Sequence, residues 1–272
     1  MTEKTAIVTD NSWAGLKRYT DARIGLGRTG ISLPTDKQLA FQVSHAQARD
    51  AVHIPLDLQA LAGELIDAGL AVIALHSRAT DRLTYLKRPD FGRRLDAESA
   101  AKLKVQADAE NACDAAVVIA DGLSSTAVQH HAGEMTRRIH SALRAESLSV
   151  APVCIVEQGR VAVGDEIGEL LGARLLILLI GERPGLSAPD SLGIYYTYRP
   201  RVGLTDAARN CISNIRPAGL PLADGCERLI WLLRESERRK LSGVDLKDES
   251  GDAEALDGRG TRNFLLEEPP HA

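Results

Sequence analysis

Short apolar runs alternate with amphipathic stretches through the middle of the chain, and this rhythm predicts the fold class. Ala115–Ala120, Val150–Val156 and Leu175–Ile180 are nearly free of polar residues, the mark of strands buried on both faces. Between them, residues 125–145 place Val128, His131, Met135 and Ile139 on one helical stripe. Residues 163–171 form a second helical stretch, with Asp165 and Glu166 in its first turn, where negative charge is favoured. Strand–helix–strand–helix–strand at this spacing predicts a parallel sheet with right-handed crossovers. Ala71–Leu75 adds an earlier strand, and the tyrosine-rich Ile194–Tyr198 is expected at an edge. A last helix over 222–241 carries Cys226, Leu229, Ile230 and Leu233 on its apolar face.

Before residue 70 the pattern is helical. Residues 1 to about 20 read as a polar, loosely attached arm. Thr35 and Gln38 have the spacing of a capping box after Pro34, opening a helix with Leu39, Val43 and Ala46 on one face. Pro55 stops it, and a second helix is expected over 56–67, ended by Gly69. The expected class is therefore α/β: a small helical N-terminal unit (1–69), then a Rossmann-like parallel-sheet domain (70–248). Residues 249–272, rich in acids and glycine with a Pro-Pro pair, are expected to be an unstructured tail.

Bulk properties remove several classes. A net charge of −4 argues against a general nucleic-acid binder, and no apolar stretch is long enough to span a membrane. The N-terminus lacks the basic start and apolar core of a secretory signal, so a cytoplasmic location is expected. Cys113, Cys154, Cys211 and Cys226 form no C-x-x-C pair and are expected as thiols. There is no zinc-type cysteine–histidine spacing, no H-E-x-x-H and no G-x-S-x-G. No metal site and no catalytic acid, base or nucleophile is signalled.

Gly25–Gly30 matches G-x-G-x-x-G, but no buried strand precedes it and Pro34 follows at once. It reads as a glycine-rich loop with Arg23 and Arg28 exposed, rather than as a dinucleotide fingerprint. Three segments that follow buried strands are better placed for binding: Asp121-Gly122, Gln158-Gly159-Arg160-Val161 and Gly181-Glu182-Arg183. Ligands in open α/β sheets sit beyond such strand ends, where glycine admits a flat ligand and a carboxylate accepts hydrogen bonds. The basic stretch Arg88–Arg94 is either an anion or partner site or a solvated loop. The same loops also suit a non-catalytic protein-binding module, and that alternative stays open.

The blocks Gly181-Glu182-Arg183-Pro184-Gly185-Leu186, Asp190-Ser191-Leu192 and Arg209-Asn210-Cys211-Ile212-Ser213-Asn214-Ile215 resemble the light chain of ethanolamine ammonia-lyase. Arg88–Leu95 and Ala22–Arg28 extend the resemblance, which covers about residues 20 to 248. It implies an adenosylcobalamin-dependent ammonia-lyase that makes acetaldehyde and ammonia from ethanolamine. It further implies a hetero-oligomer with a large subunit whose barrel holds the substrate, with no catalytic residue on this chain. Cobalamin contacts in that family fall on segments matching Val161, Glu182 and Cys211. Val161 is expected to give backbone and apolar contact, Glu182 an acceptor for corrin amides, and Cys211 a small close contact. No histidine here has aspartate two residues before it, so D-x-H-x-x-G is absent and a base-on cofactor is expected. Packaging in a bacterial microcompartment is left open.

Overall fold

The computed structural model describes residues 7–109 and 113–250. Its centre is a sheet of β1 (Val72–His76), β2 (Ala115–Ala120), β3 (Val153–Glu157), β4 (Leu175–Gly181), β5 (Leu192–Tyr198) and β6 (Arg209–Ile215). The spatial order is β1-β3-β2-β4-β5-β6. The first four strands run parallel, while β5 and β6 pair antiparallel.

Helices cover both faces. On one side lie α2 (Leu58–Asp67), α5 (Ser125–Ala145) and α7 (Leu222–Arg239); on the other lie α4 (Ala97–Ala109) and α6 (Val163–Leu170). This explains the uninterrupted apolar run of β2. Ala115, Val117 and Ile119 face α5, while Ala116, Val118 and Ala120 face α6, and every one is fully buried. Each larger side chain so buried contributes about 1.5–3 kcal/mol. The expected stripe Val128, His131, Met135 and Ile139 is buried in full.

Three expectations need correction. The sheet is mixed rather than wholly parallel, because the segment joining β4 to β5 holds no helix and is too short for a crossover. The tyrosine-rich strand is consequently internal, and the edge is β6, a segment read above only for binding. The strand expected from Val150 begins at Val153, since Pro152 has no N–H to give a ladder, and Val150 keeps one isolated bridge to Ala115.

The N-terminal helix α1 (Thr35–His53) has Pro34 at its cap position, so the expected Thr35–Gln38 box does not form. Its stripe faces outward, with Leu39 and Val43 more than half exposed and Ala51 the buried residue. Arg23, expected exposed, is half-buried: its guanidinium donates to Ala40 O (3.2 Å) and Ser44 Oγ (2.7 Å) and stacks on Phe41. In the glycine-rich loop, Gly25, Gly27 and Gly30 all have positive φ, and Arg28 bridges Thr9 instead of following a strand. Leu61 and Leu65 of α2 are fully buried in the same core as α5. The proposed tail lies, beyond Ser250, outside the described residues, as does the start of the arm; residues 12–19 form a 3-10 turn. Among the described residues, no helix is long and apolar enough to cross a membrane.

The connection through α5 carries the chain from β2 outward to β3, and α6 carries it back across β2 to β4. The loops leaving the neighbouring strands β2 and β3 thus lead to helices on opposite faces of the sheet, α5 and α6. Such a switch point opens a crevice at the carboxyl edge of the sheet.

Candidate functional site

At that edge the three strand-end loops meet. Gly122 has φ +59, and a β-carbon on it would overlap Gly181 O; one on Gly181 would overlap Ser124 O. Both must be glycine for the loops after β2 and β4 to touch, and Leu123 N–H donates to Gly181 O at 2.9 Å. Gly159 approaches in the same way: its β-carbon would lie 2.9 Å from Ala120 Cβ. Its N–H donates to Asp121 Oδ1 at 3.0 Å. Asp121 is 3% exposed and 3.6 Å from the Arg82 guanidinium. Burial pushes its pKa up to about 6, against the pull of Arg82 and the N–H groups of Gln158, Gly159 and Gly122.

A short helix the sequence reading passed over supplies the next layer. Asp81 caps α3 (Arg82–Lys87), accepting from Thr84 N–H at 2.9 Å. This turns Tyr85 inward, fully buried, with its hydroxyl 3.3 Å from Gly159 O. Arg82 and Arg160 each lie against the Tyr85 ring, at 4.7 and 4.2 Å from its centroid. Arg82 also donates to Gly122 O (2.8 Å) and Val52 O (2.6 Å), which ties α1 to the site. Arg82 Nη2 and Arg160 Nε are buried donors with no partner among the described residues. Asp81 three residues ahead of Thr84, the spacing of a helix N-cap, with Leu83 and Leu86 beyond it, was the available signal for this element.

The basic stretch is mostly spoken for. Arg94 forms a two-pronged pair with Glu166 (3.0 and 2.9 Å), whose carboxylate also accepts from Leu95 N–H (2.8 Å). Arg88 pairs with Asp90, and Arg93 is exposed. Gly92 is buried beneath Arg160, where a β-carbon would come within 2.7 Å of Arg160 Cγ.

Val161 and Glu182 line one crevice of about 400 Å³, together with Tyr85, Gly122, Arg160 and Tyr195. Larger grooves lie along α7 and beside Arg199, but neither gathers strand-end loops. Glu182 is engaged within the chain: its carboxylate accepts from Ser213 Oγ (2.6 Å), Asn214 N–H (3.1 Å) and Ser191 Oγ. A carboxylate offers about four acceptor positions, so one remains for a ligand. Glu182 thereby fastens the end of β4 to the end of β6, a role its sequence gave no sign of. Cys211 stands on the exposed edge strand, directly across from Tyr195, and shares a side-chain hydrogen bond with it. It is not among the residues that line the crevice, and it meets that wall only through Tyr195. None of the four cysteines forms a disulfide.

Comparison with known proteins bears on the whole chain. The family model of the ethanolamine ammonia-lyase light chain matches residues 10–247. The chain is 57% identical to the ethanolamine ammonia-lyase small subunit of Ralstonia nicotianae over 263 residues, covering 96% of this chain and 97% of that one. The small subunit of Azotobacter vinelandii is likewise 57% identical over the same shares, and that of Pseudomonas fluorescens strain Pf0-1 is 53% identical over 98% and 99%.

Proposed function

The chain belongs to the ethanolamine ammonia-lyase light-chain family, and from that premise we propose that it is the small subunit of an enzyme converting ethanolamine to acetaldehyde and ammonia. The large subunit holds the substrate, and this chain presents its strand-end crevice to adenosylcobalamin at the boundary between the two.

The observation that carries the reading is the crevice itself. Close packing of the glycine loops at 122, 159 and 181 holds its wall in place, and Gly122, Gly181, Arg160, Val161 and Glu182 line it. The Arg160 side chain lines one wall, and Glu182 beside it retains one acceptor position. A guanidinium and a carboxylate with an open acceptor position on one wall suit a corrin fringed with amide side chains. A volume of about 400 Å³ is far too small to enclose a corrin, so the ring would lie against this chain and be covered by the partner. Val161 would meet the ring edge, Glu182 and Arg160 its amides, and Cys211 the rim. When bound, adenosylcobalamin supplies the hydrogen-abstracting chemistry, and this chain's residues orient it and exclude water.

The test is an absorption spectrum of this chain co-expressed with the large subunit, incubated with cobalamin and then desalted. A retained base-on corrin spectrum that needs both chains supports the shared site. Retention by this chain alone would place the whole site here. No retention in any combination would overturn the cofactor assignment.

A further inference from the structure

The fold brings His130 and His131 of α5 together with Asp190, on the segment entering β5, and one nitrogen or oxygen of each lies within 4.8 Å of the others. His131 occupies the apolar stripe of α5, and its side chain is only 10% exposed. Its Nε2 is buried and has no hydrogen-bond partner among the described residues. A buried imidazole nitrogen left unsatisfied costs about 1–3 kcal/mol, so its position calls for an occupant. Asp190 Oδ2 lies 3.5 Å from this nitrogen. That is beyond the usual N–H···O range of about 2.7–3.2 Å. It does match the separation of two ligands around a tetrahedral ion at about 2.0–2.2 Å from each, which is roughly 3.3–3.6 Å.

From this geometry we propose a divalent transition-metal site of the zinc class, with His131, Asp190 and His130 as ligands and solvent in the fourth position. Two imidazoles and one carboxylate suit zinc and its first-row neighbours rather than magnesium or calcium. Adjacent helix residues normally diverge. Here the two rings stand edge to face with centroids 5.9 Å apart, and His130 is exposed and free to swing the remaining distance. The half-buried Asp190 leaves a path for the ion. Its loop is already anchored to the start of α5, where Ser124 Oγ donates to Pro189 O at 2.8 Å. The next residue, Ser191, holds Glu182. A bound ion would clasp α5 to the segment that positions the crevice carboxylate. The site stands independently of the cofactor reading.

The experiment uses the full chain, stripped with chelator and free of corrin, titrated with Co²⁺ alone while visible absorption is followed. One equivalent should bind with the intense bands of a four- or five-coordinate ion, and Zn²⁺ should displace it. His131→Ala and Asp190→Asn should each weaken binding at least about tenfold. His130→Ala, at an exposed position that cannot compromise folding, should weaken it measurably, and His140→Ala should leave it unchanged. Absence of saturable binding, or binding equal to wild type in His130→Ala and Asp190→Asn, would overturn the site and leave a simple imidazole–carboxylate contact.

Discussion

Arg209, the first residue of β6, meets Asp165, in the first turn of α6, in an ion pair whose side chains are each only 2% exposed. The guanidinium also holds Asp206 Oδ1 (2.7 Å) and Leu204 O (3.2 Å), so the edge strand is bolted to the helix layer. Arg209→Met leaves Asp165 as a buried, unpaired carboxylate and should lower unfolding free energy by about 3–5 kcal/mol. Asp165→Leu should cost less, because Arg209 keeps its pair with Asp206. The double variant Arg209→Met with Asp165→Leu should recover most of the loss. Urea unfolding of all four proteins measures this, and an additive double variant would show that the charges act independently.

Glu182→Ala removes an acceptor shared by Ser191, Ser213 and Asn214. Each orphaned donor costs about 1–3 kcal/mol where it is buried, and less where water reaches it. The larger effect should be on cofactor retention in the assembled enzyme, falling at least about tenfold as the ends of β4 and β6 separate. Glu182→Gln should fall between the two. Equilibrium dialysis with cobalamin gives the comparison, and unchanged retention in the alanine variant would remove Glu182 from the site.

Asp121 supplies a pH test. Its pKa in the folded chain, about 6, lies above the ordinary 3.8 because burial disfavours the charge. The folded state binds this proton more tightly than the unfolded state does. The resulting stability is complete below pH 4 and disappears as pH rises through 6. Wild type should therefore lose on the order of 3 kcal/mol relative to Asp121→Asn between those values. Denaturation curves at pH 4, 5, 6 and 7 measure the difference, and a constant gap would show that Asp121 titrates normally.

Gly122→Ala and Gly181→Ala should both be severe. Either β-carbon would collide with backbone of the opposing loop, and the first also requires φ +59. By contrast, Gly185→Ala, where the nearest atom would be 3.8 Å away, should fold normally. Soluble yield and thermal midpoint of the three variants decide the matter; tolerance at 181 would mean that the loops can part.

Much of this was readable from residue patterns because β2, β3 and β4 are apolar on both faces, and only a sheet covered on both sides demands that. The strand-end loops followed from the same logic, and Val161 and Glu182 do share one crevice wall. What escaped was set by tertiary contact. Strand β6 alternates buried and exposed positions too weakly to stand out, and its pairing with β5 becomes visible only beside Tyr195 and Cys211. Tyr85 was missed because its helix is a turn and a half long and takes its order from distant contacts, Arg160 stacked on its ring and Gly159 O at its hydroxyl, both from the loop after β3. His131 and Asp190 are separated by two strands and a helix, so no local spacing could announce them.

The sheet order also sets a timetable. Strand β1 pairs only with β3, Val72 against Val153, and β2 with its following helix is made in between. On the ribosome, therefore, β1 emerges well before its partner exists and must wait uncommitted while β2, α5 and β3 build a local nucleus. Fusion of a slow codon run after β3 should cost this protein little, whereas a pause between α4 and β3 would leave an unpaired apolar strand waiting on the chaperones.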